Sequence, residues 1–264
     1  MSPAICVKWA TRMKQAPLVT VVVPSFNQER YLEDALRSIV GQDVPAEIIV
    51  MDGGSTDGSV AIIERWSDQL FHWQSKSDGG QAAAINAGVD YGRAPYVCWL
   101  NSDDLLYPGG LGVLIAALEK NRAAPAAFGQ VDHLDDATGL RRPAWVEPFD
   151  EKRLALRCIV SQPGTVIRRS SWQAVRGLDP KLHFAMDYDL WWRLYRRFGP
   201  FAYVSQTVAV NRNHRATKTR NNRKAHYSEA MTVVRRNYGR IPLKWWLAQP
   251  YAVWWKSIAA RLGR

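Results

Sequence analysis

Short apolar runs alternate with segments of helical apolar periodicity through the first half of the chain. Val19 to Val23 is an uninterrupted β-branched run closed by Pro24, which predicts a strand buried on both faces. Tyr31 to Val40 then repeats apolar residues at helical spacing. Further strands are predicted at Glu47 to Met51, Leu70 to Gln74 and Tyr96 to Leu100, and further helices at Val60 to Trp66, Gln81 to Tyr91 and Gly109 to Asn121. This alternation predicts an α/β fold with a mostly parallel sheet between layers of helices.

The second half of the chain is less regular. Strands are predicted around Phe128 to His133, Thr165 to Arg168 and Phe201 to Val210, and a helix from Asp187 to Phe198. We interpret residues 1–16 as a leader, residues 17–215 as one domain with halves 17–104 and 105–215, and residues 216–264 as a helical tail. A chain of 264 residues that is 47% hydrophobic can bury the core that one such domain needs.

The net charge of +11 is concentrated at the C-terminus. Residues 212–264 contain 13 Lys or Arg residues and one acidic residue, Glu229. Apolar and aromatic residues recur at helical spacing in the same segment, at Leu247, Tyr251, Trp254, Trp255, Ile258 and Leu262, with Lys244, Lys256 and Arg261 on other faces. Such a basic amphipathic helix is typical of segments that lie on an anionic membrane surface. The alternative is that the apolar stripe packs on the protein itself.

The cysteines and the hydropathy of the chain bear on its compartment. Cys6, Cys98 and Cys158 are odd in number and lack metal-ligand spacing, which favours a reducing environment. We see no run of the roughly 18 to 20 apolar residues that a membrane span needs, and no signal peptide. We therefore expect a cytoplasmic protein attached peripherally to the cytoplasmic face of a membrane.

Acidic residues follow several of the predicted strands. Asp52, Asp78 and the segment from Asn101 to Asp104 fall at strand ends or just before the next helix. In open α/β sheets, ligands bind outside the carboxyl ends of the strands. The adjacent carboxylates of Asp103 and Asp104 would repel each other unless a cation neutralised them, and oxygen ligands suit Mg²⁺ or Mn²⁺. The alternative is that these acids form turns or cap helices.

Four segments in order carry a resemblance to a known family. They are Val-Val-Val-Pro-Ser-Phe-Asn (21–27), Met-Asp-Gly-Gly-Ser-Thr-Asp-Gly-Ser (51–59), Ser-Asp-Gly-Gly-Gln-Ala-Ala-Ala-Ile-Asn-Ala-Gly (77–88) and Trp-Leu-Asn-Ser-Asp-Asp (99–104). The chain resembles the family 2 glycosyltransferases over about residues 18–215. The resemblance implies the GT-A fold and an enzyme that transfers a sugar with inversion from a nucleoside diphosphate sugar, with a UDP-sugar favoured. The motifs do not identify the acceptor; the basic amphipathic tail adds the hypothesis of a glycan or lipid-linked acceptor and a role in cell-surface polysaccharide synthesis.

The resemblance assigns a role to each matching residue on the donor side. The donor site would comprise Pro24, Ser25, Asn27, Asp52, Asp78 and Asp103. Asp52 would reach the nucleobase, where its alternative role is to form the turn that contains Gly53. Asp103 would lie near the ribose, and Asp104 and His214 would bind a divalent metal, Mn²⁺ or Mg²⁺. The sequence departs from the family at Asn101, where the first acid of the metal motif is usual.

The acceptor side resembles the family more loosely. Gln162-Pro163-Gly164-Thr165 is similar to an acceptor-side loop, and Asp187 falls on the general base that transfer to a hydroxyl requires. Met186 stands where the family usually has Glu, and Asp189 is a weaker candidate for the base. Both aspartates also suit the first turn of a helix.

Two other functions stay open. They are a catalytically weak nucleotide-sugar-binding scaffold and a nucleic-acid-binding module using the basic tail. We see no known nucleic-acid motif and expect no nucleic-acid partner.

Overall fold

The computed structural model describes residues 16–214 and 217–255. Residues 1–15 of the predicted leader and residues 256–264 of the predicted tail lie outside this part. The described strands are Val19–Ser25 (β1), Ala46–Asp52 (β2), His72–Ser75 (β3), Tyr96–Trp99 (β4), Leu105–Leu106 (β5), Ala126–Asp135 (β6), Arg141–Pro143 (β7), Thr165–Arg168 (β8) and Ala202–Asn213 (β9). The strands that the pattern predicts are all present, whereas β5 and β7 are too short to show a period.

The described helices are Leu32–Val40 (α1), Ser59–Trp66 (α2), Gln81–Tyr91 (α3), Gly110–Lys120 (α4), Glu151–Leu156 (α5), Arg169–Ala174 (α6), Met186–Phe198 (α7), Lys218–Asn221 (α8), Arg223–Tyr238 (α9) and Leu243–Gln249 (α10). Single 3₁₀ turns occur at Ser67–Gln69 and Gln162–Gly164, and Pro250–Trp255 continues α10 with π-type hydrogen bonds. No helix in the described ranges is both long and apolar enough to cross a bilayer.

The strands form one mixed sheet in the order β3-β2-β1-β4-β8-β6-β9-β5, with β7 paired to β6. The pairs β3-β2, β2-β1 and β1-β4 are parallel, as the alternation predicts. Antiparallel pairing begins where β8 lies between β4 and β6. In the parallel part, Ser25 is in register with Asp52, and Asp52 with Ser75. The loops after these three strands therefore leave the sheet at the same edge.

The central parallel strand β1 is apolar on both faces because both faces are covered. All seven residues of β1 are buried. Helix α3 packs closely on β1 and β2, and its Gly88 is the residue that permits this approach. A Cβ atom at position 88 would lie 2.5 Å from Val22 Cγ1, well inside van der Waals contact. This packing fixes the position of the loop that precedes α3.

The described part of the C-terminal segment packs on the domain by one face. Helix α9 contacts α7, and four of its residues, Ala230, Met231, Val233 and Val234, are buried. Trp245 of α10 is also buried, and its indole Nε1 donates to Ala155 O at 2.8 Å. A second group of side chains stays largely exposed: Leu243, Trp246, Leu247, Tyr251 and Trp255. The alternative of self-packing thus accounts for one face of this segment only, and the boundary at residue 215 stays a prediction.

Candidate active site

A cavity of about 950 Å³ opens at the edge where the parallel strands end. This volume is at the upper end of the range of small-molecule sites. Its walls combine the loops of the parallel strands with residues of the second half of the chain. Among the predicted site residues, those that line it are Pro24, Ser25, Asp78, Asp103, Asp104 and Asp187. Tertiary structure therefore brings these donor residues and the predicted base to one site, whereas Asn27, Asp52 and His214 do not line the cavity.

Asp52 is a buried residue that supports the turn after β2. Its Oδ2 accepts hydrogen bonds from the backbone N–H groups of Gly54 (3.1 Å) and Ser55 (2.8 Å) and from Ser75 Oγ (2.6 Å). Its Oδ1 accepts from Ser55 Oγ at 2.5 Å. Asp52 is 1% exposed and does not line the cavity. The predicted contact with a nucleobase is therefore not supported by this geometry, which agrees with the alternative of a turn-forming residue.

Asn27 likewise joins two loops outside the cavity lining. Its backbone N–H donates to Ser55 Oγ at 2.8 Å, and its side-chain Oδ1 accepts from Thr56 N at 2.9 Å. Its φ of 54° lies in the left-handed region, which asparagine tolerates better than most residues. Asn27 thus shapes the first donor loop indirectly, whereas Ser25 and Pro24 lie in the wall itself.

Asp103 and Asp104 differ sharply in their surroundings. Asp104 is 1% exposed, and its Oδ1 accepts from Arg212 N at 2.9 Å and from Asn211 Nδ2 at 3.2 Å. Burial, together with the charge of Asp103, raises the pKa of Asp104 well above its usual value. The more exposed Asp103 places Oδ2 2.9 Å from His214 Nε2. Asp103, and not Asp104, is thus the carboxylate beside the histidine, while the roles of Asp103 at the ribose and of Asp104 at the metal stay predictions.

The side chains at this position could supply a divalent metal ion with only a minority of its ligands. Within the described ranges, no group of three or more His, Cys, Asp and Glu side chains is arranged to hold a metal. Asp103 and His214 can supply one oxygen and one nitrogen ligand. Mg²⁺ commonly binds through one or two carboxylates together with substrate phosphates, and Mn²⁺ accepts both carboxylate and imidazole ligands. These two residues are therefore the best placed to hold such an ion.

Asn101 is the centre of an amide network that sequence reasoning missed. Its Nδ2 donates to Asp104 Oδ2 and to Gln162 Oε1, both at 3.1 Å, and its Oδ1 accepts from Gln81 Nε2 at 2.9 Å. Gln162 also donates to Trp99 O at 2.6 Å. An aspartate at position 101 would set a third carboxylate against Asp104, whereas asparagine stabilises it. Asn101, which departs from the family motif, is thus held by hydrogen bonds with Gln81, Asp104 and Gln162.

Asp187 lies in the first turn of α7 and faces the cavity. Burial raises the pKa of Asp187 to about 6, a hydrogen bond from the Tyr188 N–H acts in the opposite direction, and the charge of Glu229 adds to the rise. A carboxylate with such a pKa is well matched to accept a proton near neutral pH. Asp189, in contrast, is fully buried and pairs with Arg193 and Arg236. Asp189 is therefore a structural residue and not a second base.

Glu229 holds the chain that leads into α7. This single acidic residue of the C-terminal segment accepts hydrogen bonds from the backbone N–H groups of His183 (2.8 Å), Phe184 (2.5 Å) and Ala185 (2.6 Å). These groups immediately precede the turn that carries Asp187. Glu229 thus brings a carboxylate near Asp187 from another helix, although Met186 occupies the usual place of the family's neighbouring acid. The sequence showed only that Glu229 is the one acidic residue in a basic segment, and gave no sign of these contacts.

Comparison with known proteins assigns the family. The model of the family described as "Glycosyl transferase family 2" matches residues 20–173, which is more than half of the chain. The chain belongs to glycosyl transferase family 2. The match includes all four segments that carry the resemblance and ends before Asp187 and His214.

Similar curated proteins are also named as glycosyltransferases. An "Uncharacterized glycosyltransferase" of Rickettsia bellii is 28% identical over 191 residues, which cover 68% of this chain and 28% of that protein. A hyaluronan synthase of Pasteurella multocida is 22% identical over 205 residues, covering 76% of this chain and 21% of that protein. The chain thus spans between a fifth and a third of the length of these two relatives.

Solved structures confirm the predicted fold. S. aureus TarS 1–349 in complex with UDP-GlcNAc has a TM-score of 0.69 and 16% identity, and the match covers 93% of this chain and 73% of that one. A mannosyltransferase from Pyrobaculum calidifontis in complex with GDP-Man and Mn²⁺ has a TM-score of 0.65 and 19% identity, covering 98% of this chain and 82% of that one. The α/β fold of the GT-A type is therefore shown for this family member.

Proposed function

We propose that this protein transfers a sugar from a nucleoside diphosphate sugar, with a UDP-sugar favoured, to a hydroxyl of a glycan or lipid-linked acceptor. The observation that carries the proposal is that Asp187 lies in the same cavity as the donor loops and Asp103. The Asp187 carboxylate accepts the hydroxyl proton while the acceptor oxygen bonds to the anomeric carbon. The bond from that carbon to the diphosphate breaks, its electron pair leaves with the nucleoside diphosphate, and the configuration inverts. A place in cell-surface polysaccharide synthesis belongs to the same proposal.

Asp103 and His214 would hold a divalent metal, Mn²⁺ or Mg²⁺, against the diphosphate. When bound, such an ion supplies positive charge to the departing phosphate oxygens. Asp104 would position Asp103, because its hydrogen bonds with Arg212 and Asn211 fix the loop that carries both aspartates. Asp78 and Ser25, which also line the cavity, would contact the nucleotide.

The experiment that tests this function is a binding and turnover panel. Nucleoside diphosphates with different bases are titrated into the protein with and without Mn²⁺, and release of the diphosphate from the matching sugar nucleotides is then measured. We expect one base to bind with metal dependence and its sugar nucleotide to be consumed. Failure of every nucleotide to bind would contradict the proposal. It would favour the alternative of a nucleic-acid-binding module, which the same titration can test with an oligonucleotide.

The role of Glu229 gives a prediction on pH dependence. The Glu229→Gln variant is expected to lower kcat by roughly 10-fold, because charge-assisted hydrogen bonds to three N–H groups are weakened. Removing this charge also lowers the pKa of Asp187, so the acidic limb of the rate profile should move to lower pH. The exposed Glu64→Gln change is the matched control. A lower kcat with an unmoved pH profile would show that Glu229 has only a structural role.

We further propose that the exposed face of the C-terminal segment attaches the protein to an anionic membrane surface on its cytoplasmic side. Trp246, Leu247 and Tyr251 are each more than half exposed, although Trp245, which directly precedes Trp246, is buried. Exposed aromatic and aliphatic side chains beside a concentration of Lys and Arg suit an interface of phospholipid headgroups. Support therefore comes from the exposed apolar face and the positive charge of the segment together.

Vesicle sedimentation tests this attachment. The Trp246→Ser/Leu247→Ser double variant is expected to lose most of its binding to vesicles that contain phosphatidylglycerol, while the Phe71→Ser/Leu140→Ser control, also exposed, should bind like the unchanged protein. Substitution is preferable to truncation because Trp245 packs against Ala155. Equal sedimentation of both double variants would refute the proposal.

A further inference from the structure

Arg157 is a cation in the cavity wall, and the carboxylate that attracts its charge, Glu147, forms its salt bridge with another arginine. The residue lines the cavity, and its guanidinium carbon lies 3.8 Å from the centre of the Trp145 ring. Its Nε is buried and has no hydrogen-bond partner in the part of the chain that the structure describes. Burial lowers the pKa of Arg157. Since a desolvated charge is costly unless it is paired, this position favours an anion.

The carboxylate that acts on the charge of Arg157 is already paired. Glu147 accepts from Arg153 Nε and Nη2, at 2.6 Å each, and also from the indole N–H of Trp145. This two-point contact is the geometry in which an arginine and a carboxylate neutralise each other best. Glu147 and Arg153 therefore hold the Trp145 ring in place, and the charge of Arg157 is left for another group.

Trp145 adds a flat apolar surface next to this charge. The side chain is 61% exposed and lines the cavity. Val146, the next residue, is fixed to β6 because its carbonyl accepts from Gln130 Nε2 at 3.2 Å. An exposed indole of fixed position offers a large contact area at a low cost in conformational entropy. Such a surface suits the apolar face of a sugar or polyol.

The two residues belong to the half of the cavity that holds the base. Cys158 follows Arg157, and burial and then the nearby Asp187 carboxylate raise the pKa of the Cys158 thiol. The segment of Arg157 therefore runs close to Asp187. The donor loops, in contrast, follow β1, β2 and β3 in the other part of the sheet. An anion bound at Arg157 would therefore belong to the molecule whose hydroxyl reaches Asp187.

We propose that Trp145 and Arg157 form an acceptor subsite for a hydroxylated unit that carries an oxyanion, either a phosphate or a carboxylate. The inference rests on the proposed function, since it assigns the substrate class on the acceptor side of the same site. The indole contacts the carbon skeleton, and the guanidinium pairs with the oxyanion. Acceptors of this kind occur as charged soluble glycans and as phosphate groups on lipid carriers.

The test uses probes of one shape and different charge. Dissociation constants of methyl glucoside, its 6-phosphate and methyl glucuronide are measured by NMR titration of the full chain saturated with the nucleoside diphosphate that binds best. We expect one or both anionic glucosides to bind the unchanged protein at least ~10-fold more tightly than the neutral one, as a charge-assisted pair would provide. The preference should fall below about 3-fold in Arg157→Gln and persist in part in Arg157→Lys. The exposed Arg122→Gln change is the control.

A fourth probe, citronellyl phosphate, distinguishes the two sources of the oxyanion. Tighter binding of this probe than of the glucoside phosphate would assign the anion to a lipid carrier, and the reverse order would assign it to a soluble glycan. Equal binding of neutral and charged glucosides to the unchanged protein would overturn the proposal, whatever the folding of the variants. A loss of nucleotide affinity in Arg157→Gln with unchanged glucoside binding would also overturn it, because Arg157 would then serve the donor. Failure of the function itself shows separately, as absence of nucleotide binding in the unchanged protein.

Discussion

The Asp187→Asn variant is expected to bind the nucleotide donor like the unchanged protein and to lose sugar transfer by roughly 10²- to 10⁴-fold, the usual contribution of a general base. Asparagine has the shape of aspartate, so the first turn of α7 and the cavity wall are retained. What it lacks is the ability to accept the hydroxyl proton. The measurement is initial rates of diphosphate release with acceptor present, together with calorimetric titration of the nucleotide.

The pH profile adds a second readout for the same residue. Because Asp187 acts in its deprotonated form and its pKa is raised to about 6, the rate should fall as the pH falls through about 6. The exposed Asp68→Asn change should leave both the rate and the profile as they are. Transfer by Asp187→Asn at the rate of the unchanged protein would remove this residue from the base role and reopen the identity of the proton acceptor.

Replacing Asp103 by asparagine is expected to weaken metal-dependent nucleotide binding by at least ~10²-fold while binding without metal changes little. Asp103 is the carboxylate next to His214, and an amide is a much weaker ligand of a divalent ion. The measurement is calorimetric titration of the nucleoside diphosphate in Mn²⁺ and in a chelator. The same loss is expected for His214→Ala, since the two side chains would serve one ion.

The Asp104→Asn variant provides the contrast. Its carboxylate is buried and accepts from Arg212 N and Asn211 Nδ2, so the change should lower the thermal midpoint of unfolding as well as nucleotide binding. In Asp103→Asn, the unfolding midpoint should move much less. If Asp104→Asn alone abolished the metal dependence at unchanged stability, the original assignment of the metal to Asp104 would hold instead.

The acidic residues show how far sequence reasoning can go. The motifs placed Asp52, Asp78, Asp103 and Asp104 at the ends of strands, and the structure agrees with that placement. The direction in which each carboxylate faces could not be obtained in this way. Asp52 turns into its own loop, where four hydrogen bonds reach it from Gly54, Ser55 and Ser75. Asp103 and Asp104 are adjacent on one loop but differ in burial and in hydrogen-bond partners, so spacing alone could not separate their roles.

The C-terminal segment illustrates the opposite limit. Its composition predicted a basic amphipathic helix, and residues up to 255 are largely helical. Periodicity gave no sign that Trp245 is buried against Ala155 while Trp246 is exposed. Periodicity also could not show that Glu229 accepts hydrogen bonds from the backbone of residues 183–185, just before Asp187. Those hydrogen bonds connect residues more than 40 positions apart.

The sequence by itself determined the longer strands and the helices of the first half, the family and the residues that follow each parallel strand. These depend on local periodicity and on short motifs, whose physical causes act between neighbours in the chain. Tertiary structure alone decided which carboxylates line the cavity, how Asn101 is supported by Gln81 and Gln162, and that the buried Nε of Arg157 has no hydrogen-bond partner among the described residues. These properties depend on burial and on pairing between distant segments. Both are fixed only when the sheet brings those segments together.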